Sequence, residues 1–239
     1  MHESTNLLAL NLMETLPLQH DRFYHIYNCG INGCALFTER SDYERFLHLY
    51  DKYIVPVAET YAWVLMGNHF HVLVRVKTAA EIGRYVVLNS ARSDDSGRFQ
   101  TTQDLSGSID LKESNNTVFK TPNPTKHFAH LFNAYAKYFN TKHSRHGSLF
   151  EKPFKRKLID NERYFKQVVM YIHNNPVHHG FCQKAIEYLW SSYVTCTSAK
   201  HTKLRRDEVI RWFGDVGNFV AVHNSCADHE EMEVWLLTS

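Results

Sequence analysis

Met66-Gly67-Asn68-His69-Phe70-His71-Val72-Leu73-Val74 is the stretch whose reading sets the fold. Two apolar runs, Tyr61 to Met66 and His69 to Val76, meet at Gly67-Asn68. That is the length and composition of a two-residue hairpin turn with positive φ angles, so the runs are predicted to be paired antiparallel strands. Alternate side chains of a strand share a face, so His69 and His71 point one way and Phe70 the other. Two imidazoles so close on a rigid strand make half of a metal site, with positions open for a third ligand and a substrate oxygen. In a chain with 16 histidines a His-x-His spacing also arises by chance. The flanks, Trp63 to Met66 and Val72 to Val74, weigh against chance, because a central strand is a costly place for two idle imidazoles.

Working outward, Phe23 to Ile31 is aromatic and β-branched enough for a strand, and Asn32-Gly33 is a turn signal. Ser41 and Glu44 read as a capping box opening a helix whose apolar positions are Phe46, Leu49, Tyr50, Tyr53, Ile54 and Val57, with Pro56 disturbing its last turn. From Asn89 to Thr125 about half the residues are Ser, Thr, Asn, Gly or Pro, which buries too little apolar surface to offset ordering entropy; a mobile insertion is expected. A helix follows over about Lys126 to His143, with Phe128, Leu131, Phe132, Tyr135, Tyr138 and Phe139 as its apolar stripe. Ser148 to Ile159 reads as extended, and Pro153 confines that strand to an edge or a bulge. Asp160 is placed to cap a last long helix with Phe165, Val168, Val169 and Ile172 on its core face, ended by Pro176.

The order β-α-β-β-α-β, then α, predicts an α+β protein: a ferredoxin-like antiparallel sheet with helices on one face, plus a helical or irregular C-terminal extension. The expected organisation is an N-terminal arm over 1–21, one main domain over 22–193 carrying the insertion at about 89–125, and an extension over 194–239. Composition agrees with a soluble globular chain: 239 residues, 44% hydrophobic, 22% charged. With 27 basic and 25 acidic residues, whole-chain charge announces no polyanion partner. Five cysteines without a CxxC pair argue for a reducing compartment. There is no run of 18 apolar residues and no signal-peptide order at the N-terminus, so a cytoplasmic, non-membrane protein is expected.

Two further patterns carry chemistry. In Tyr171-Ile172-His173-Asn174-Asn175-Pro176, Tyr171 and Asn175 sit one helical turn apart on one face, about 6 Å along the axis, whereas Tyr164 is about 16 Å from Asn175. Amphipathic rim packing also accounts for such tyrosines. Between Lys137 and Lys157, seven lysines and arginines, Lys142, Arg145, Lys152, Lys155, Arg156 and Lys157 among them, face a single glutamate. Tyr138, Phe139, Phe150 and Phe154 are interleaved. Cations for phosphates with aromatic faces for unstacked bases suit single-stranded nucleic acid; a solvated helix end is the plainer alternative.

The block from Met66 to Val74 resembles the HUH motif (His, hydrophobic, His) of IS200-like single-tyrosine transposases. Gly147-Ser148-Leu149-Phe150 through Tyr171-Ile172-His173-Asn174-Asn175-Pro176-Val177 is similar to the second half of that domain in the REP-associated tyrosine transposase branch. The resemblance runs from about Tyr24 to Tyr193. Gly67 stands where a proline often precedes the Asn-His, and the insertion is longer than the family core needs. The resemblance implies an HUH endonuclease fold and metal-dependent nicking and joining of single-stranded, hairpin-containing DNA through a 5′-phosphotyrosine. It implies His69 and His71 as metal ligands, Tyr171 as nucleophile, Asn175 as the side chain completing the metal site, and a divalent cation, Mg2+ or Mn2+. Monomer and homodimer both remain open, and with them whether Tyr171 serves its own histidine pair or a partner's. A non-catalytic hairpin-binding regulatory module on the same fold is the rival reading, and a structural zinc site on His69 and His71 a third.

Overall fold

A computed structural model of the chain describes residues 17–88 and 117–225. In chain order the elements are β1 (Phe23–Cys29), α1 (Arg40–Tyr53), β2 (Ala58–Leu65), β3 (His69–Val76), the short α2 (Ala79–Ile82), β4 (Tyr85–Leu88), β5 (Thr117–Lys120), α3 (Pro124–Lys142), β6 (Lys155–Ile159), α4 (Glu162–His178), α5 (Tyr193–Thr197), α6 (Arg206–Phe213) and α7 (Val216–Ser225). The main sheet has the order β2-β3-β1-β6 with every pairing antiparallel, the ferredoxin-like arrangement, built from β1-α1-β2-β3-α3-β6. β6 is an edge strand, as Pro153 just before it requires. β4 and β5 pair with each other in a separate two-stranded ladder.

Strand alternation divides the sheet into two faces. On one, Tyr24 and Ile26 of β1 and Phe70, Val72 and Val74 of β3 pack against Phe46 and Leu49 of α1 and Phe128, Leu131, Phe132 and Tyr135 of α3. On the other, Tyr61, Ala62, Val64, Leu73 and Ile159 pack against Phe165, Val168, Val169 and Ile172 of α4, with Val209, Phe213 and Phe219 from α6 and α7. The expected helices on one face are thus α1 and α3 of the core; the histidine-bearing face also carries apolar rows and is buried in turn by α4 and the C-terminal helices. The C-terminal segment also finishes the β2 edge: Leu65 N–H donates to the Trp190 carbonyl (2.9 Å), Ser192 N–H to that of Trp63 (2.9 Å) and Arg205 N–H to that of Thr60 (2.8 Å).

Several local expectations are corrected. The hairpin turn is two residues long, with Met66 N–H bonded to the His69 carbonyl at 2.8 Å, but neither Gly67 nor Asn68 has a positive φ. Tertiary bonds hold it instead: the Gly67 carbonyl accepts from Leu36 and Phe37 N–H, and the Asn68 carbonyl from Gly30 N–H. α1 starts earlier than Ser41, and its acidic N-terminal partner is Asp42, not Glu44. Asp42 accepts the backbone N–H groups of Thr38 and Glu39 at 3.0 and 3.2 Å. Asn161, not Asp160, caps α4, accepting from Tyr164 N–H at 3.0 Å. Pro176 lies inside α4 and does not end it. It sits in the last turn, where removing one backbone donor breaks little, and His179, Gly180 and Phe181 N–H close the carbonyls of Asn175, Val177 and Pro176. Of the expected mobile insertion, 89–116 lies outside the described residues, while 117–125 contains β5, the cap Asn123 and the start of α3. Among the described residues no helix is long and apolar enough to cross a membrane.

Candidate metal and nucleophile site

Register puts the site together before any side chain is considered. On the face covered by α4, Tyr27 of β1 lies between His71 of β3 and Lys155 of β6, and His25 between Leu73 and Lys157. α4 crosses this face and delivers Tyr171 and Asn175, both buried. The Tyr171 ring stands edge-on to His71, centroids 5.3 Å apart, and 6.0 Å from His25. His69 and His71 are 5.4 Å apart, and His69 Nε2 lies 3.0 Å from Asn175 Oδ1. The four residues that the sequence singles out from strand and helix therefore meet within one chain.

His69 is bracketed by oxygen acceptors: Asn68 Oδ1 at 2.7 Å from Nδ1 and Asn175 Oδ1 at 3.0 Å from Nε2. Burial lowers its pKa; the Asn175 bond opposes this, while His179 adds to it. The neutral ring has a single N–H to give. With that proton on Nδ1 and donated to Asn68, the Nε2 lone pair faces the Asn175 carbonyl, an arrangement that suits a shared cation. Asn175 Nδ2 is buried without a hydrogen-bond partner, and turning the amide over would only exchange it for an orphaned carbonyl. Two imidazole nitrogens and an amide oxygen are a donor set for a first-row divalent ion. These residues fit the divalent cation that the resemblance of the sequence motifs implies.

Sequence reasoning missed two histidines here. His25 is fully buried, its Nε2 3.0 Å from His71 Nδ1; burial, with Lys157 adding to it, lowers its pKa to about 3, so it is neutral. A lone histidine in a strand gives no signal, since its partner is 46 residues away. His179 is exposed, yet its ring lies 5.1 Å from that of His69. Tyr171, Asn175 and His179 recur every four residues, a spacing that could have found it.

The helix that carries Tyr171 is anchored from behind. His173 Nε2 lies 2.7 Å from Ser192 Oγ and its Nδ1 3.0 Å from His223 Nε2; His223 Nδ1–H donates to the Phe219 carbonyl at 2.7 Å. Ser192 Oγ in turn accepts Trp63 N–H at 2.9 Å. The network joins α4 to β2 and α7, with His173, Ser192, Phe219 and His223 all buried.

The basic run does not form one surface. Lys155 and Lys157 share the histidine face, with Lys155 Nζ 6.0 Å from the centre of the Tyr27 ring, and Lys152 is exposed just ahead of them. Arg156 points to the opposite layer, buried, its guanidinium 4.1 Å from the Phe154 ring centre. Arg145 reaches back to Asn140 Oδ1 at 3.1 Å. Lys142 bridges Glu39 and Asp42 at the junction of α1 and α3. Among the described residues, Glu39, Asp42 and His143 bring their donor atoms within 4.8 Å of one another. Asp42 there already accepts from Thr38, His143 (3.1 Å) and Lys142 (3.1 Å), and the Lys142 ammonium takes the place a cation would fill. This cluster is an ion-pair network between helices, on the far side of the sheet from the histidine pair.

The chain is similar in fold to the solved structure of a REP-associated tyrosine transposase bound to a REP hairpin, with a TM-score of 0.51 and 14% sequence identity, covering 77% of this chain and 83% of that one. No family model and no curated protein matches the sequence.

Proposed function

We propose that the chain is a metal-dependent nuclease and strand transferase for single-stranded DNA with hairpin structure, working through a 5′-phosphotyrosine at Tyr171. The observation that carries this reading is the convergence of Tyr171 and Asn175 from α4 with His69 and His71 from β3. A similarity of fold to a hairpin-bound tyrosine transposase supports it. The Tyr171 hydroxyl oxygen attacks the scissile phosphorus; the new P–O bond forms as the bond to the 3′-oxygen breaks. The phenol gives up its proton and the departing 3′-oxygen takes one, leaving a 3′-hydroxyl. Attack of a 3′-hydroxyl on the phosphotyrosine reverses the step and joins ends without a nucleotide cofactor.

His69, His71 and Asn175 would hold a divalent cation, Mg2+ or Mn2+, which supplies charge stabilisation at the phosphate oxygens. Tyr171 stands beside the histidine pair of its own chain, so a monomer has the full set. Lys152, Lys155 and Lys157 are the cations placed to follow the DNA backbone. Lys142, Arg145 and Arg156 serve internal contacts instead.

The test is incubation with single-stranded hairpin DNA and Mn2+ followed by a denaturing gel. The unaltered chain and Tyr164→Phe form a denaturation-resistant conjugate, and Tyr171→Phe does not. A chain that only shifts DNA in a native gel is a binding module, and one that does neither holds a structural site; either result refutes the enzyme. Lys152→Glu with Lys155→Glu weakens binding and lowers the salt slope by about one per lost phosphate contact.

A further inference from the structure

His25 has no assigned part in the reaction above, yet it is locked against one of its residues. Its Nε2 lies 3.0 Å from His71 Nδ1, the two rings stack at 5.1 Å with planes 24° apart, and Tyr27 stacks on both, at 5.0 and 5.5 Å. Its other nitrogen, Nδ1, is buried with no hydrogen-bond partner. One proton lies between the two rings, and its side matters. If His25 donates it, His71 accepts on Nδ1 and carries its own proton on Nε2, so neither His71 nitrogen has a lone pair to offer. If His71 donates it, Nε2 carries the lone pair, and the proton of His25 moves to the buried Nδ1.

We propose that His25 is a positioning residue that accepts the Nδ1–H of His71 and so fixes the tautomer in which His71 Nε2 faces the divalent cation. The inference rests on the reading of His69 and His71 as cation ligands. A metal-bound histidine ordinarily donates its second N–H to a carboxylate or carbonyl; here a buried imidazole takes that place. An unpaired buried N–H on His25 is destabilising, and the cation on His71 offsets it. Tyr27 packs against both rings on the same face, which favours the paired arrangement.

The experiment is nitrogen-15 NMR of the histidine rings in the whole chain saturated with Mg2+, together with calorimetric titration of Mn2+ alone into the unaltered chain, His25→Phe and His25→Gln. The expected spectrum has His71 and His25 both protonated on Nδ1. Phe keeps the stacked ring but removes the acceptor, and Mn2+ affinity falls 10- to 100-fold; Gln restores an acceptor and recovers most of it. A His25 protonated on Nε2 in the Mg2+-saturated chain, or Mn2+ affinity unchanged in His25→Phe, overturns the inference and leaves the cation site standing. Failure of the unaltered chain to bind Mn2+, or binding indifferent to His69→Ala, overturns the proposed function itself and this inference with it. The spectrum needs no variant, so a misfolded His25→Phe does not blunt the test.

Discussion

The two faces of the sheet are built to different ends. The face under α1 and α3 is an aromatic and aliphatic layer in which Phe46, Phe70, Phe128 and Tyr135 are all but inaccessible, and the Tyr135 hydroxyl donates to the Leu36 carbonyl at 2.6 Å. The face under α4 interrupts the same kind of layer with His25, His71, Tyr171 and Asn175, and leaves His25 Nδ1 and Asn175 Nδ2 without partners. Burying unpaired polar atoms is destabilising, so these two on the histidine face are a cost that the proposed cation site would explain. One layer is dominated by apolar side chains; the other sets imidazoles, a phenol and an amide side by side on the same strands and helix.

That contrast can be broken by substitution. Phe70→Ala, which points into the apolar layer between two histidines of the other, is expected to cost about 3–5 kcal/mol in urea unfolding while the folded fraction binds Mn2+ normally. A loss under about 1 kcal/mol would mean the layer does not carry the stability. His223→Ala strands His173 Nδ1 in the anchor behind α4 and is expected to cost about 1–3 kcal/mol. If α4 is aimed by that anchor, the conjugate-forming rate falls further than stability alone accounts for.

A smaller, pH-gated effect belongs to the ion-pair network across α1 and α3. Burial pushes the Asp42 carboxyl up, but the bonds from Thr38, His143 and Lys142 outweigh it and hold it well below the usual carboxylate range. A depressed folded value means this stabilisation is whole above the unfolded value, about pH 4, and is lost as pH falls toward the folded one. Asp42→Asn should flatten the acid limb of thermal melting curves between about pH 4 and 2; an unaltered limb would remove Asp42 from the account. The smallest change is Gly67→Ala, where φ is not positive and a β-carbon meets nothing within 4 Å: a gain of about 0.4–1 kcal/mol in melts is expected, and a loss would contradict the turn geometry.

What could be read from sequence follows the reach of each signal. Period-two alternation on β3 and period-3.6 stripes on α1, α3 and α4 are local, and they place His69, His71, Tyr171 and Asn175 on the right elements. The element order, with Pro153 at an edge, then leaves the ferredoxin-like sheet as the natural assembly. Signals that depend on tertiary partners were not legible. Gly67-Asn68 looked like a self-sufficient positive-φ turn, but its carbonyls are held by Gly30, Leu36 and Phe37. Lys142 and Arg156 looked like part of a DNA-facing run; in fact strand alternation turns Arg156 inward, and Lys142 is drawn to carboxylates about a hundred residues earlier. His25 becomes meaningful only through its register beside His71, and the C-terminal helices only through the second face that they cover.

The most direct test is anomalous scattering from a crystal of the whole chain soaked in Mn2+. A single strong peak bounded by His69, His71 and Asn175, with the Tyr171 hydroxyl facing the same open side, is the expected result. A peak at Glu39, Asp42 and His143 with none beside the histidine pair would contradict it.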